Sequence, residues 1–203
     1  MQGGSGTSDR ASVGLSARGL ACRRGDRVLF AGLSLELGPG AALHVVGANG
    51  IGKSSLIRLL AGLARPYAGA VRREGAAGLL DERPALEPAL PLGKALAFWA
   101  AADGHRAMAE VHRMLGLDPL LDVPVRYLST GQRKRAALAR LIGQAAPIWL
   151  LDEPLNGLDA AAAELVARIV GEHCAGGGIC VVASHQPFAV PAIGRLELAE
   201  FAA

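Results

Sequence analysis

"GANGIGKSSL", residues 47–56, follows directly on the apolar run "AALHVV" at 41–46. Its glycines Gly47, Gly50 and Gly52 crowd around Lys53, in a chain with three lysines against eighteen arginines. The run before it suits a strand buried on both faces of a parallel sheet. After it, Leu56, Leu59, Leu60 and Leu63 follow helical spacing with Arg58 and Arg65 off that face, and Gly62 and Pro66 help to stop the helix. Between strand and helix lies G-x-x-x-x-G-K-S, Gly47 to Ser54. Glycines let a backbone wrap closely around phosphate groups, with inward amides at the positive end of the helix dipole. Gly47, Ala48, Asn49, Gly50, Ile51, Gly52, Lys53, Ser54 and Ser55 are therefore expected to bind nucleotide. Lys53 is suited to the β- and γ-phosphates and Ser54 to Mg²⁺. The loop alone does not separate a kinase, a GTPase and an ATPase.

A second apolar run, "IWLL" at 148–151, ends in Asp152 and Glu153. An Asp at the end of a buried strand can hold the Mg²⁺ shell. A Glu directly after it projects toward the γ-phosphate and can act as general base on a water. A small-molecule kinase must exclude that water, so Glu153 favours hydrolysis.

The rest of the chain bounds the class. Its 203 residues suit one domain, residues 13–203, behind a flexible tail at 1–12 that lacks the apolar core of a signal peptide. The net charge of +3 is mild and mixed in sign, and no nucleic-acid partner is expected. The three cysteines have no C-x-x-C spacing, which argues against a disulfide framework or zinc site and fits a reducing compartment. No apolar run is long enough to span a membrane. "LSLEL" at 33–37 alternates like a half-buried antiparallel strand, whereas "ICVVAS" at 179–184 reads as another buried parallel one. "RLEL" at 195–198 reads as the last strand. Residues 86–126 are helical in pattern and broken by prolines; with the helix that follows they suggest an inserted helical subdomain of about 86–140. Within it Phe98 and Trp99 read as core or as part of a docking groove, with core favoured.

Four stretches in order carry a family resemblance. After the phosphate loop, "LSTGQ" at 128–132 resembles the LSGGQ signature of ATP-binding cassette proteins, with Thr130 where glycine is usual. "LNGLD" at 155–159 looks like that family's D-loop, and "VVASHQ" at 181–186 carries His185 where the family has its switch histidine. The resemblance implies an α/β phosphate-loop NTPase of the cassette type. It would have a mainly parallel core sheet, an N-terminal antiparallel β subdomain and the helical insert. It implies ATP with Mg²⁺, hydrolysis by Glu153 and His185, metal contact through Ser54 and Asp152, and a head-to-tail cassette homodimer. Leu128, Ser129, Thr130, Gly131 and Gln132 would face ATP bound to the partner copy, with Asp159 in the D-loop. The "RKR" at 133–135 would face solvent or that partner.

The chain departs from the family at two positions. Arg24 stands where an aromatic commonly stacks on adenine; a guanidinium plane can also stack on a base. Glu82 stands at the glutamine of the Q-loop in "GLLDERPALEP", 78–88, and is a further candidate for Mg²⁺ or its water. More narrowly, "GLACRRGDRVLFAGLSLEL" at 19–37, "GLARPYAGAV" at 62–71 and "ASHQP" at 183–187 resemble the ATP-binding subunits of bacterial haem exporters of cytochrome c maturation. That resemblance implies a peripheral place on the cytoplasmic face of the inner membrane. It also implies integral membrane partners of the B and C exporter type. An exporter ATPase for another substrate, or a soluble cassette ATPase, is the alternative.

Overall fold

The computed structural model describes residues 13–82, 84–104 and 108–203; the tail expected over 1–12 lies outside them. Two sheets form the frame. Strands β1 (Gly14–Arg24), β2 (Arg27–Leu37) and β4 (Ala68–Glu74) make an antiparallel sheet in the order β2-β1-β4. Strands β3 (Ala42–Val46), β5 (Ala77–Leu80), β6 (Ile148–Asp152), β7 (Ile179–Ala183) and β8 (Gly194–Glu197) make a parallel sheet in the order β5-β6-β7-β3-β8. Helix α1 (Lys53–Ala61) follows β3. Helices α2 (Leu92–Ala102), α3 (Ala109–Met114) and α4 (Thr130–Gly143) lie between β5 and β6, and α5 (Ala160–Ala175) precedes β7.

The continuous apolar strands serve two layers at once, because successive side chains point to opposite faces. Ile148 and Leu150 of β6, with Ile179 and Val181 of β7, join the core beneath α1, which contributes Leu56, Ile57 and Leu60 and also covers Phe30 and Leu33 of β2. Trp149 and Leu151, with Cys180 and Val182, join the opposite core against Leu138 and Leu141 of α4 and Val166, Ile169 and Val170 of α5. β6 pairs directly with β7, which pairs with β3. The C-terminal ends of these three strands therefore lie side by side, where ligands of open α/β sheets bind.

β1, β4 and β5 are additions to the sequence reading. β1 is bent by register shifts against both neighbours, which blurs the period-2 signal. β5 is four residues long. In the insert, Phe98 is 63% exposed rather than core. Trp99 is half-buried, with its indole N–H donating to the Ala85 carbonyl and the Arg140 guanidinium 3.7 Å above its ring.

Three histidines are partly or wholly buried. His44 Nε2 lies 3.2 Å from the Ser184 carbonyl, and His173 is stacked on Trp149 at 3.9 Å. Burial lowers the pKa of His44, His112 and His173 below the ordinary histidine value of 6.5. The unfolded chain then binds more protons than the folded one below that value, so stability falls as pH drops through it. The thermal midpoint should accordingly be lower at pH 5.5 than at pH 7.5. An equal or higher midpoint at pH 5.5 would remove the buried histidines as the cause.

Candidate ATP site

Residues 47–52 leave β3 and enter α1 through a chain of positive φ angles, 150° at Gly47, 81° at Gly50 and 119° at Gly52. Gly52 caps α1. A Cβ there would sit 3.1 Å from the Phe30 ring besides straining the backbone, so the turn strongly favours glycine. The Lys53 side chain is buried and folds back over the loop. Its ammonium donates to the carbonyls of Gly47 (2.8 Å) and Ala48 (3.3 Å) and lies 3.9 Å from Glu153 Oε1. An ammonium held there by neutral carbonyls is placed to exchange them for phosphate oxygens, which bind it more strongly.

Glu153 follows β6 with φ at 46°, a left-handed conformation costly for a residue with a Cβ. Its N–H donates to the Ala183 carbonyl of β7 at 2.8 Å, which holds the turn. Its Oε2 accepts from Ser184 Oγ (3.3 Å) and lies 3.0 Å from His185 Nδ1. The carboxylate is thereby fixed between Lys53, Ser184 and His185. A cleft of about 320 Å³ joins Arg24, Leu29, Asn49, Gly50, Gly52, Lys53, Ser54, Ser55, Glu82, Glu153, Asn156 and His185. Among the described residues no Phe, Tyr or Trp lines it; Arg24 and Leu29 do.

Asp152 is buried, and burial raises its carboxyl pKa while a bond from Ser54 counters the rise. Its Oδ1 has no hydrogen-bond partner among the described residues. A buried carboxylate oxygen left open beside a serine hydroxyl is a hard-oxygen donor set that suits Mg²⁺. Among the described residues no group of three or more His, Cys, Asp or Glu could hold a metal alone. Phosphate oxygens and water would complete the shell.

A separate cleft carries Ser129, Gly131, Gln132, Gly157, Leu158 and Asp159 and shares no residue with the first. Ser129 caps α4 in a reciprocal box with Gln132: its Oγ accepts from Gln132 N–H at 3.2 Å, and its own N–H donates to Gln132 Oε1 at 2.8 Å. Gly131 lies against the next loop, where a Cβ would come 2.5 Å from the Gly157 carbonyl. Asp159 caps α5 through a 2.8 Å bond from the Ala162 N–H. Both helices thus open on this cleft.

Residues 30–156 match the family described as ABC transporter. The chain belongs to the ABC transporter family. As a member it is an ATPase that binds ATP. It is 58% identical over 189 residues to the cytochrome c biogenesis ATP-binding export protein CcmA of Novosphingobium aromaticivorans, covering 93% of this chain and 97% of that one. It is 52% identical to the protein of the same name from Sphingopyxis alaskensis, covering 91% and 96%. Among solved structures, the dimeric post-hydrolysis state of an ATP-binding cassette bound to ADP and Pi superimposes with a TM-score of 0.75. It is 20% identical and the match covers 85% of this chain and 88% of that one, a likeness of fold.

In this cassette Arg24 and Glu82 both reach the phosphate-loop cleft. Ile51 leans on the core beneath α1, so from that position the backbone rather than the side chain is offered to a ligand. The Leu128 side chain is buried; Ser129, Gly131 and Gln132 open to the second cleft, whereas Thr130 lines the groove of Lys134 instead. "RKR" divides against the expectation of solvent or partner contact. Arg133 is exposed, Arg135 donates to the Leu115 carbonyl at 2.7 Å, and Lys134 is buried. The helical period decides this, since Lys134 shares a face with Ala137, Leu138 and Leu141. The sequence reading overlooked Ser184. It also overlooked the bond from Gln186 Nε2 to Asn156 Oδ1 at 3.3 Å, which ties the β7 loop to the β6 loop. Nothing local in "ASHQP" announces either contact, because both partners come from another strand end.

Proposed function

We propose that this ABC ATPase is the motor of a membrane exporter that serves c-type cytochrome biogenesis, with haem as the exported group. The 58% identity across 93% of the chain to a cytochrome c biogenesis ATP-binding export protein carries this reading. Its partners would be integral membrane subunits of the B and C exporter type, met at the cytoplasmic face of the bacterial inner membrane. Among the described residues no helix is long and apolar enough to cross a membrane.

The reaction follows from the cleft. The amides of residues 50–54 and the Lys53 ammonium hold the β- and γ-phosphates at the start of α1. Ser54 and Asp152 would hold Mg²⁺, with Glu82 beside them in the groove these residues line; the ion would neutralise charge on the phosphate oxygens. Glu153 takes a proton from water as the new oxygen–phosphorus bond forms and the bond to the β-phosphate oxygen breaks. His185 lies 3.0 Å from the far oxygen of Glu153 and lines the cleft, which suits contact with the γ-phosphate. Ser129, Gly131 and Gln132 open on a separate cleft, which fits contact with ATP bound to a second copy in a head-to-tail pair.

A strain with Glu153→Gln as its sole copy should make apocytochromes c but leave them without haem. Haem-stained c-type cytochromes are the measurement, with b-type cytochromes as the control. Normal c-type cytochromes, with the variant shown to be hydrolysis-dead, would refute haem export and leave the transporter ATPase standing.

A further inference from the structure

Lys134 is the fifth residue of α4. The residue is 7% exposed, and its ammonium is buried with no hydrogen-bond partner among the described residues. A charge buried in this way has to be offset by charge nearby. The offset comes from the ends of β5 and β6. Burial lowers the pKa of the Lys134 ammonium, and Glu82, Asp152, Asp81 and Glu153 counter that in part, Glu82 most strongly. Lys134 shares a groove of about 480 Å³ with Asp81 and Glu82, and these two also line the adjoining groove that reaches Ser54 and Asp152. Asp152 Oδ1 is itself buried and unpartnered. Among the described residues an unpartnered ammonium from the signature helix and an unpartnered carboxylate oxygen from the core strand therefore lie on adjoining grooves that share Asp81 and Glu82. Lys53 is already committed to the loop carbonyls and Glu153.

We propose that Lys134 is an internal counter-ion for the carboxylates around Asp152, supplying without nucleotide the positive charge that a divalent cation supplies with it. The inference rests on the assignment of Ser54 and Asp152 to the metal. Lys134 touches no phosphate in this scheme. It is a positioning residue that makes metal binding depend on nucleotide, whose phosphates outweigh the repulsion from the ammonium.

The test uses Mn²⁺ as a spectroscopically visible divalent cation, titrated into the whole protein by electron paramagnetic resonance. The parent should bind Mn²⁺ weakly alone and tightly with a non-hydrolysable ATP analogue. Lys134→Met should tighten nucleotide-free Mn²⁺ binding about tenfold, the scale of one unit charge removed at the effective dielectric of a protein site. Lys134→Arg, which keeps the charge, should behave as the parent. A folded Lys134→Met protein with parental Mn²⁺ affinity overturns the proposal, as does an equal shift in Lys134→Arg. So does unfolding of both Lys134→Met and Lys134→Gln while Lys134→Arg folds, because the charge would then serve the fold. A parent that binds no Mn²⁺ even with the analogue overturns the metal assignment itself, and the counter-ion with it.

Discussion

Lys53→Ala is expected to weaken ATP binding by about two orders of magnitude, the worth of one or two charge-assisted hydrogen bonds in a rigid cradle. The loop around Lys53 is set by its glycines and by the cap of α1, so the backbone should survive the change. The lost ammonium has two further consequences. The carbonyls of Gly47 and Ala48 lose their donor, and Glu153 Oε1 loses the cation 3.9 Å away. A modest fall in thermal midpoint is therefore expected beside the large fall in affinity. Titration with a fluorescent ATP analogue, with circular dichroism as the check on folding, separates the two. Parental affinity in a folded Lys53→Ala protein would overturn the phosphate-loop assignment.

Glu153→Gln should leave ATP binding intact and lower hydrolysis about 100-fold or more, within the range for loss of a general base. The amide has the shape of the carboxylate and can still accept from Ser184, so the left-handed turn at residue 153 has no new reason to collapse. It cannot take a proton from water. It also removes a negative charge beside the γ-phosphate, so the ATP-bound pair of cassettes should persist and be seen as a dimer by sedimentation. Phosphate release at the parental rate would show that another group activates the water. Hydrolysis lost without a lasting dimer would keep Glu153 as the base and count against the shared sandwich.

Much of the machinery stands in short contiguous strings, and these were legible. The phosphate loop needs glycines and a lysine at fixed spacing because one turn of backbone must enclose a phosphate. Asp152 and Glu153 are adjacent because a strand end delivers both to one edge. The signature segment carries its own capping box, Ser129 with Gln132, so its helix start could be read from α4 alone. The parallel strands announced themselves as unbroken apolar runs, since each serves two cores.

What came only from the tertiary structure depends on residues distant in sequence. The bent strand β1 lost its alternation to register shifts, and nothing around Phe98 indicated that its ring would remain exposed while Trp99 was covered by Arg140. Glu153 is poised by Ser184 and His185 from the next strand and by the Ala183 carbonyl that holds its unfavourable φ. Lys134 reads in sequence as one more cation in a basic cluster. Its burial follows from the helical phase of α4, and its charge balance from the strand ends brought opposite it. The amino-acid sequence by itself determined the glycine turn between β3 and α1 and which strands line the sheet, because those demands are met within a few successive residues. The packing of α4 against the ends of β5 and β6 decided which charges answer one another, because an electrostatic partner is fixed by distance in space.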